Sequence, residues 1–264
     1  MSASFLAAAA ARARHSDVHV AIDDANDWPL DALNLAVPQG PNGRAVLLMT
    51  GAMNPAHRGH INMLHQARDR LERAGITVVG AFASPTHDEY VQGKAHDKGT
   101  IALTGEFRLA VIDHMVASDP SVTASPWEVR NDEFVDFPYV VPELTAALYA
   151  NPRTRGILCV YVCGPDLGRR AVRHAGASAA WGGVVVVPRT DKKMTVAEDV
   201  ARRVFVAEAD PSTEGFSSTD LREEIANGNE DKVVEAMSAE GARFLLHPTH
   251  DEFARFTPTT PSSA

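Results

Sequence analysis

Two histidines three residues apart are where the chemistry starts. His57 and His60 flank Gly59 in the stretch Gly51-Ala52-Met53-Asn54-Pro55-Ala56-His57-Arg58-Gly59-His60, between an apolar run and a helix-like one. A helix start presents unpaired N–H groups and a partial positive charge, so phosphate is the kind of group it holds best. Gly51 and Gly59 permit close backbone approach, and two imidazoles add donors aimed at the same anion. Far along the chain, Ser217-Ser218-Thr219 opens another helix-like stretch with Arg222 one turn in. Its hydroxyls can cap the helix or donate to phosphate, and the guanidinium offers a two-pronged charged grip. For both segments plain helix capping is the alternative.

Other residues extend the set. Lys98, before Gly99, is placed to neutralise phosphate charge, with Lys94 as a competing candidate and a solvated loop lysine as the alternative. Asp166, in Gly164-Pro165-Asp166, follows an apolar run. Its carboxylate can accept hydrogen bonds from ribose hydroxyls beside the Gly164 N–H, or cap a helix. Trp127 and Trp181 are two of three tryptophans, and an indole face suits an electron-poor aromatic cation. Trp181 is equally well read as ordinary packing.

The elements that must position these groups alternate along the chain. Short apolar runs at Arg44–Thr50, Ile76–Ala83, Ser121–Ser125, Gly156–Cys163, Gly183–Val187 and, more weakly, Val204–Ala207 read as buried strands. Helical spacing appears at Arg58–Ala74, around Phe107–Met115, around Glu143–Ala150 and from Ser218 to Leu246. Ser84–Thr104, rich in Gly, His, Asp and Lys, reads as one long loop. Strand–loop–helix–strand repetition predicts an α/β fold with a parallel sheet, which binds ligands at the carboxyl ends of its strands. Residues 1–43 read as an extension, 44–248 as the domain, and 249–264 as a flexible tail.

Composition narrows the classes. The chain has 264 residues, 45% of them hydrophobic, and a net charge of −9, which argues against nucleic-acid polymers and anionic membranes as partners. No apolar stretch approaches the roughly 20 residues of a membrane span. Cys159 and Cys163 sit in an apolar run and read as small buried side chains, which favours a reducing cytoplasmic or nuclear setting. Residues 1–14, Ala-rich with Arg12 and Arg14 and no acid, loosely resemble an organelle transit peptide; a frayed helical extension is the alternative.

The segment Gly51–His60 resembles the signature of the nucleotidylyltransferase superfamily, Gly-Ser/Thr-Phe-Asn/Asp-Pro followed by His-x-Gly-His. Ala52 and Met53 depart from it. Further pieces follow in order: Ala83 to Tyr90, Asp97-Lys98-Gly99, Glu106-Phe107-Arg108, Pro126-Trp127-Glu128, Val162 to Leu167, Val186-Val187-Pro188-Arg189 and Phe216 to Arg222. Over about residues 44–248 this series is similar to the eukaryotic-type nicotinamide mononucleotide adenylyltransferases.

The resemblance implies a Rossmann-like parallel sheet with helices on both faces, the nucleotidylyltransferase fold. It implies transfer of AMP from ATP to nicotinamide or nicotinate mononucleotide, giving NAD or deamido-NAD and pyrophosphate. His57, His60 and Arg222 would be catalytic. Gly51, Ala52, Gly59, Lys98, Gly164, Asp166, Ser217, Ser218 and Thr219 would hold ATP. Met53, Asn54, Ser84, Tyr90, Trp127, Glu128, Trp181 and Arg189 would hold the pyridine nucleotide. Mg²⁺ would be carried by substrate oxygens and water, with no metal ligands from the protein, and family members are commonly homo-oligomers. The alternatives are another acceptor, such as pantetheine phosphate or phosphocholine, or a nucleotide-binding chaperone or sensor with little turnover.

Overall fold

Residues 44–51 read Arg-Ala-Val-Leu-Leu-Met-Thr-Gly, and the five from Ala45 to Met49 are all buried. A strand buried on both faces belongs at the centre of a parallel sheet. The computed structural model, which describes residues 28–189, 192–213 and 215–256, places it there. The strands are β1 (Arg44–Gly51), β2 (Thr77–Pro85), β3 (Val122–Ala124), β4 (Leu158–Cys163), β5 (Gly183–Val186) and β6 (Val204–Val206). They form one six-stranded sheet in the order β3-β2-β1-β4-β5-β6, and every pairing is parallel. The connection direction reverses between β1 and β4, and an open parallel sheet offers its crevice to ligands there.

Helices cover both faces. Helix α1 (Arg58–Arg73) buries Ile61, Leu64, Ala67 and Leu71 on the first face. The spacing i, i+3, i+6, i+10 makes one apolar stripe. That face also takes α3 (Gly105–Met115) and the closing helices α6 (Ser218–Ala226), α7 (Glu230–Ala236) and α8 (Ala239–Leu246). The second face takes α4 (Phe137–Ala150) and α5 (Pro165–Ala177), together with Trp28, Trp127 and Trp181. Cys159 and Cys163 are free, buried thiols on that face.

Four stretches differ from the sequence reading. The expected long loop Ser84–Thr104 contains α2 (Asp88–Asp97), which starts where the His87 ring accepts the Glu89 N–H and Asp88 and Glu89 face the positive helix end. Helix α4 begins six residues before Glu143, because Asp136 caps it and Pro138 sits in its first turn, where a missing N–H costs nothing. Helix α5 follows β4, where the sequence offered a helix start only as the alternative reading of Asp166; the N-cap is Gly164. In the stretch read as tail, α9 (His250–Arg255) forms, with Glu252 gripped by Arg243 at 2.6 and 3.0 Å. Residues 1–14, with their transit-peptide-like composition, lie outside the described residues, as does 257–264.

Close packing across β4 and β5 is sensitive to one methyl group. A Cβ on Gly182 would stand 2.6 Å from Leu158 Cβ and 2.7 Å from the Cys159 carbonyl oxygen. Neither neighbour can swing away, so Gly182→Ala is expected to destabilise the fold by about 1–3 kcal/mol. A lowered urea midpoint with unchanged slope checks this; an unchanged midpoint refutes it.

Candidate active site

The segment after β1 makes a tight turn that begins at Met53, whose φ is +43°. Asn54 then spends both ends of its amide on another loop: Nδ2 donates to Ile101 O at 2.7 Å and Oδ1 accepts the Leu103 N–H at 2.9 Å. Met53 is buried in the core, 1% exposed. Both residues were expected to hold the pyridine nucleotide. Their side chains instead hold the turn, and what remains for a ligand is backbone.

His57 is the N-cap of α1 and His60 its third residue, in a reciprocal capping box. His57 Nδ1 accepts the Gly59 N–H at 3.1 Å, and His60 Nδ1 accepts the His57 N–H at 3.2 Å. A backbone N–H can only donate, so each Nδ1 must be bare and each ring proton must sit on Nε2. The ring centroids are 3.9 Å apart. Burial, the neighbouring imidazole and the positive Arg189 push the His57 pKa down to about 2. Burial and Arg189 push that of His60 down to about 4, against a small upward pull from the His57 backbone. The pair is therefore neutral near pH 7, and each ring offers an Nε2–H. The charge of Arg189, which the resemblance assigns to the pyridine nucleotide, is thus felt at both rings.

The second half of this cluster arrives from residue 217 onward. Ser217 caps α6 by accepting the Asp220 N–H at 3.1 Å. Ser218 Oγ donates to Pro55 O at 2.8 Å, and Arg222 Nη1 to Asn54 O at 2.5 Å. Thr219 Oγ1 accepts from Arg222 Nη2 at 3.3 Å, which steadies the guanidinium. The capping alternative is thus true of Ser217, while Ser218 and Arg222 pin α6 to the turn that leads into His57.

Across the switch point, Asp166 lies in the first turn of α5, with its carboxylate exposed and 3.6 Å from Lys192 Nζ. Gly164 is the N-cap, with no side chain between its backbone and an approaching ligand. Lys98 stands exposed at the C-terminal cap of α2, and Lys94 lies over the Tyr90 ring at 5.8 Å. Tyr90 itself stacks on Phe134, centroids 5.0 Å apart, and faces outward at 41% exposure.

On the second face lies a different environment. Ser84 is the penultimate residue of β2 and its neighbour Ser125 follows β3; Ser125 Oγ is buried without a hydrogen-bond partner among the described residues, and Ser84 Oγ and Glu128 Oε1 are buried near one another without a well-formed bond. Burial drives the Glu128 pKa up to about 8, although the Ser84 hydroxyl and the Arg108 guanidinium pull it down. Trp127 is beside it, with one indole face stacked on Trp28 at 5.2 Å. Buried polar atoms left unpaired cost about 1–3 kcal/mol each, so this group takes up any hydrogen-bond partner that reaches it, water included. Trp181 lies elsewhere in the same core: its indole stacks on His174 and meets Phe137 and Tyr161 edge-on, and at 7% exposed it is as buried as Trp127 at 8%.

One organising residue passed unrecognised as such in the sequence. Arg108, 0% exposed, donates to Leu103 O (3.2 Å), Ala52 O (2.9 Å), Thr86 O (2.7 Å) and Asp88 Oδ1 (2.7 Å). It ties together the loops after β1 and β2 and the start of α2. The available signal was a cation inside the apolar helical run Phe107-Arg108-Leu109-Ala110-Val111-Ile112.

The family described as cytidylyltransferase-like matches residues 48–224, and the chain belongs to that family. Among curated proteins it is similar to the nicotinamide/nicotinic acid mononucleotide adenylyltransferase of Arabidopsis thaliana, 30% identical over 124 residues, 46% of this chain and 49% of that protein. It also resembles nicotinamide/nicotinic acid mononucleotide adenylyltransferase 2 of Rattus norvegicus, 35% identical over 88 residues, 33% of this chain and 26% of that protein. The aligned stretches thus span about half of the plant relative and a quarter of the rat one. Among solved structures, Plasmodium falciparum nicotinic acid mononucleotide adenylyltransferase complexed with APC superposes with TM-score 0.53 at 10% identity, over 76% of this chain and 94% of that one. The same enzyme complexed with NaAD gives TM-score 0.53, at 10% identity, over 80% and 98%. At that identity the likeness is one of fold.

Two expectations follow from the buried charges. Arg108→Met leaves Asp88 and three carbonyls without their donor, and is expected to cost about 3–5 kcal/mol of stability, read by chemical denaturation. Glu128 holds its proton to about pH 8, well above its ordinary 4.5, so its contribution to stability is complete below about pH 4.5 and is lost as pH rises through about 8. The denaturation midpoint of Glu128→Gln should therefore fall less between pH 5 and 9 than that of the parent chain. Equal slopes would show that Glu128 is already ionised in the fold.

Proposed function

We propose that the protein transfers the AMP part of ATP to nicotinamide or nicotinate mononucleotide, yielding NAD or deamido-NAD and pyrophosphate. The observation that carries this reading is the convergence of the His57–His60 pair with Ser218 and Arg222 on one turn, 160 residues apart in sequence yet hydrogen-bonded through Asn54 and Pro55. The names of the similar proteins agree with it.

The chemistry follows from charge. A mononucleotide phosphate has a second pKa of about 6, so near neutrality it is already mostly a dianion and needs no general base. Its oxygen attacks the α-phosphorus of ATP, the bond from that phosphorus to the β-bridging oxygen breaks, and pyrophosphate leaves with the electron pair. The obstacle is bringing two anions together in line and holding the charge that builds on the leaving group. The two Nε2–H groups donate to the phosphates without being titrated, because both rings stay neutral well below pH 7. Arg222 and Arg189 supply the positive charge beside them.

Mg²⁺ is a hard cation that prefers oxygen ligands. The groups gathered here are imidazoles and guanidiniums, which suit phosphate oxygens and not the metal. We place Mg²⁺ on the triphosphate itself, where it offsets phosphate charge, with water completing its shell. The acceptor half-site is the Trp127, Glu128, Ser84 and Ser125 group, whose indole face suits a pyridinium ring. A reducing compartment, cytosolic or nuclear, is the setting we propose, supported by two buried free thiols whose pKa values burial pushes up to about 12.

Mixing the protein with ATP, Mg²⁺ and nicotinamide mononucleotide should release pyrophosphate and form dinucleotide, at a rate above that with pantetheine phosphate or phosphocholine. No dinucleotide with either pyridine acceptor would overturn the proposal. His60→Ala removes one phosphate donor and is expected to lower kcat by about 10²–10³-fold with the fold intact. Near-normal turnover in that variant would remove His60 from the mechanism.

A further inference from the structure

The segment before β1 lies ahead of the family match, which begins at residue 48. Its described part, residues 28–43, is nonetheless pinned to the sheet. Asn34 N donates to Val79 O at 2.8 Å, Gly40 N to Thr77 Oγ1 at 2.8 Å, Asn42 N to Gly75 O at 3.0 Å, and Arg44 Nη2 reaches back to Val37 O at 2.7 Å. Leu33 presses on Gly80 so closely that a Cβ there would stand 2.8 Å from Leu33 Cδ2. This strap runs up β2 and ends at Trp28, which is 6% exposed.

Three rings make a stepped stack at that end. Phe82 of β2 lies under Trp28, centroids 6.0 Å apart and planes 26° apart. Trp28 lies under Trp127 at 5.2 Å and 11°. A centroid spacing of that size is direct stacking and leaves no slot for a third ring between the two indoles. One face of Trp127 is therefore taken by the strap, and with the indole 8% exposed a ligand ring can approach it only from the side away from Trp28.

We propose that Trp28 is a positioning residue for the acceptor: it backs the Trp127 indole and presets the face on which the pyridine ring stacks. The inference rests on the acceptor half-site assigned above. Trp28 packs in the second-face core, whereas the helices that carry the histidine pair and Arg222 pack on the first, so its influence falls on the mononucleotide and not on ATP. An aromatic pair contributes enough beyond its buried area to shift an affinity about three- to tenfold.

The test is steady-state kinetics on Trp28→Leu and Trp28→Phe, varying each substrate at saturating concentration of the other, with urea midpoints measured in parallel. Leu keeps apolar volume in the core and removes the stack; Phe keeps a ring. The expected result is a three- to tenfold higher KM for the mononucleotide in the Leu variant, KM for ATP within about twofold of the parent, and most of the loss restored by Phe. An unchanged mononucleotide KM overturns the inference. So does a lowered one, which would mean that Trp28 occupies the ligand's place, and so does a rise in both KM values that Phe fails to restore. Trp127→Ala in the same assays separates the two levels. If it raises the mononucleotide KM while Trp28→Leu does not, only the role of Trp28 fails; if it does not, the acceptor half-site itself is misplaced.

Discussion

The guanidinium of Arg108 is fully buried, and the loops after β1, after β2 and ahead of α3 are arranged by where its N–H groups point. Burying a cation is costly unless each donor is engaged and a counter-charge is near. Here burial pulls its pKa down while Asp88 and Glu128 pull it back. Four of its contacts are to loop carbonyls or to the first carboxylate of α2. Loops at the ends of strands β1 and β2 and ahead of α3 would otherwise carry unpaired backbone groups. One planar, five-donor side chain fixes all three relative to each other, which a lysine with its compact ammonium does not reproduce.

From that scaffold the two sides of the sheet acquire different jobs. The β1 turn delivers His57 and His60 on the first face, where α6 adds Ser218 and Arg222. The ends of β2 and β3 deliver Ser84, Ser125, Trp127 and Glu128 on the second. The Thr50 hydroxyl and Tyr161 hydroxyl, 2.8 Å apart, join β1 to β4 between them. Both substrates of the proposed reaction are anionic, so a site that holds them must be positive without repelling itself. Keeping both imidazoles neutral answers that. They act as oriented dipoles, and Arg189 and Arg222 carry the net charge. The capping box serves helix α1 and the chemistry together, since the same Nδ1 contacts that start the helix force the ring protons outward onto Nε2.

The strap before β1 lies outside the matched family region and still packs against the sheet beside Trp127. Its hydrogen bonds run along the amino half of β2, where β3 is too short to pair: β3 reaches only Ala81–Ala83. The strap fills that edge, which would otherwise present unpaired N–H and C=O groups, and in doing so sets Trp28 beneath Trp127.

The strand-and-helix alternation, the parallel sheet and the helix start at Gly51–His60 were legible in the sequence, because apolar periodicity and helix-start residues are local signals that act over a few neighbours. So was the meeting of Ser217–Arg222 with that segment, through motif order. The sequence did not reveal helix α2, since its apolar stripe is only Val91 and Ala95 and its start depends on a histidine cap. Nor did it distinguish Trp127 from Trp181, as both read as indoles beside strands. Packing alone decided their neighbours: both are buried in the same core, Trp127 against Trp28 and Trp181 against His174, Phe137 and Tyr161. Met53 and Asn54 read as ligand residues because they sit inside the motif, yet their side chains answer to residues 101–103 and to the core. Composition and spacing thus determined which residue types the chain carries to the ends of its strands. Only the tertiary structure decided which of those side chains face a ligand and which hold the scaffold, because that choice rests on hydrogen bonds and ring contacts between segments about fifty to over a hundred and fifty residues apart.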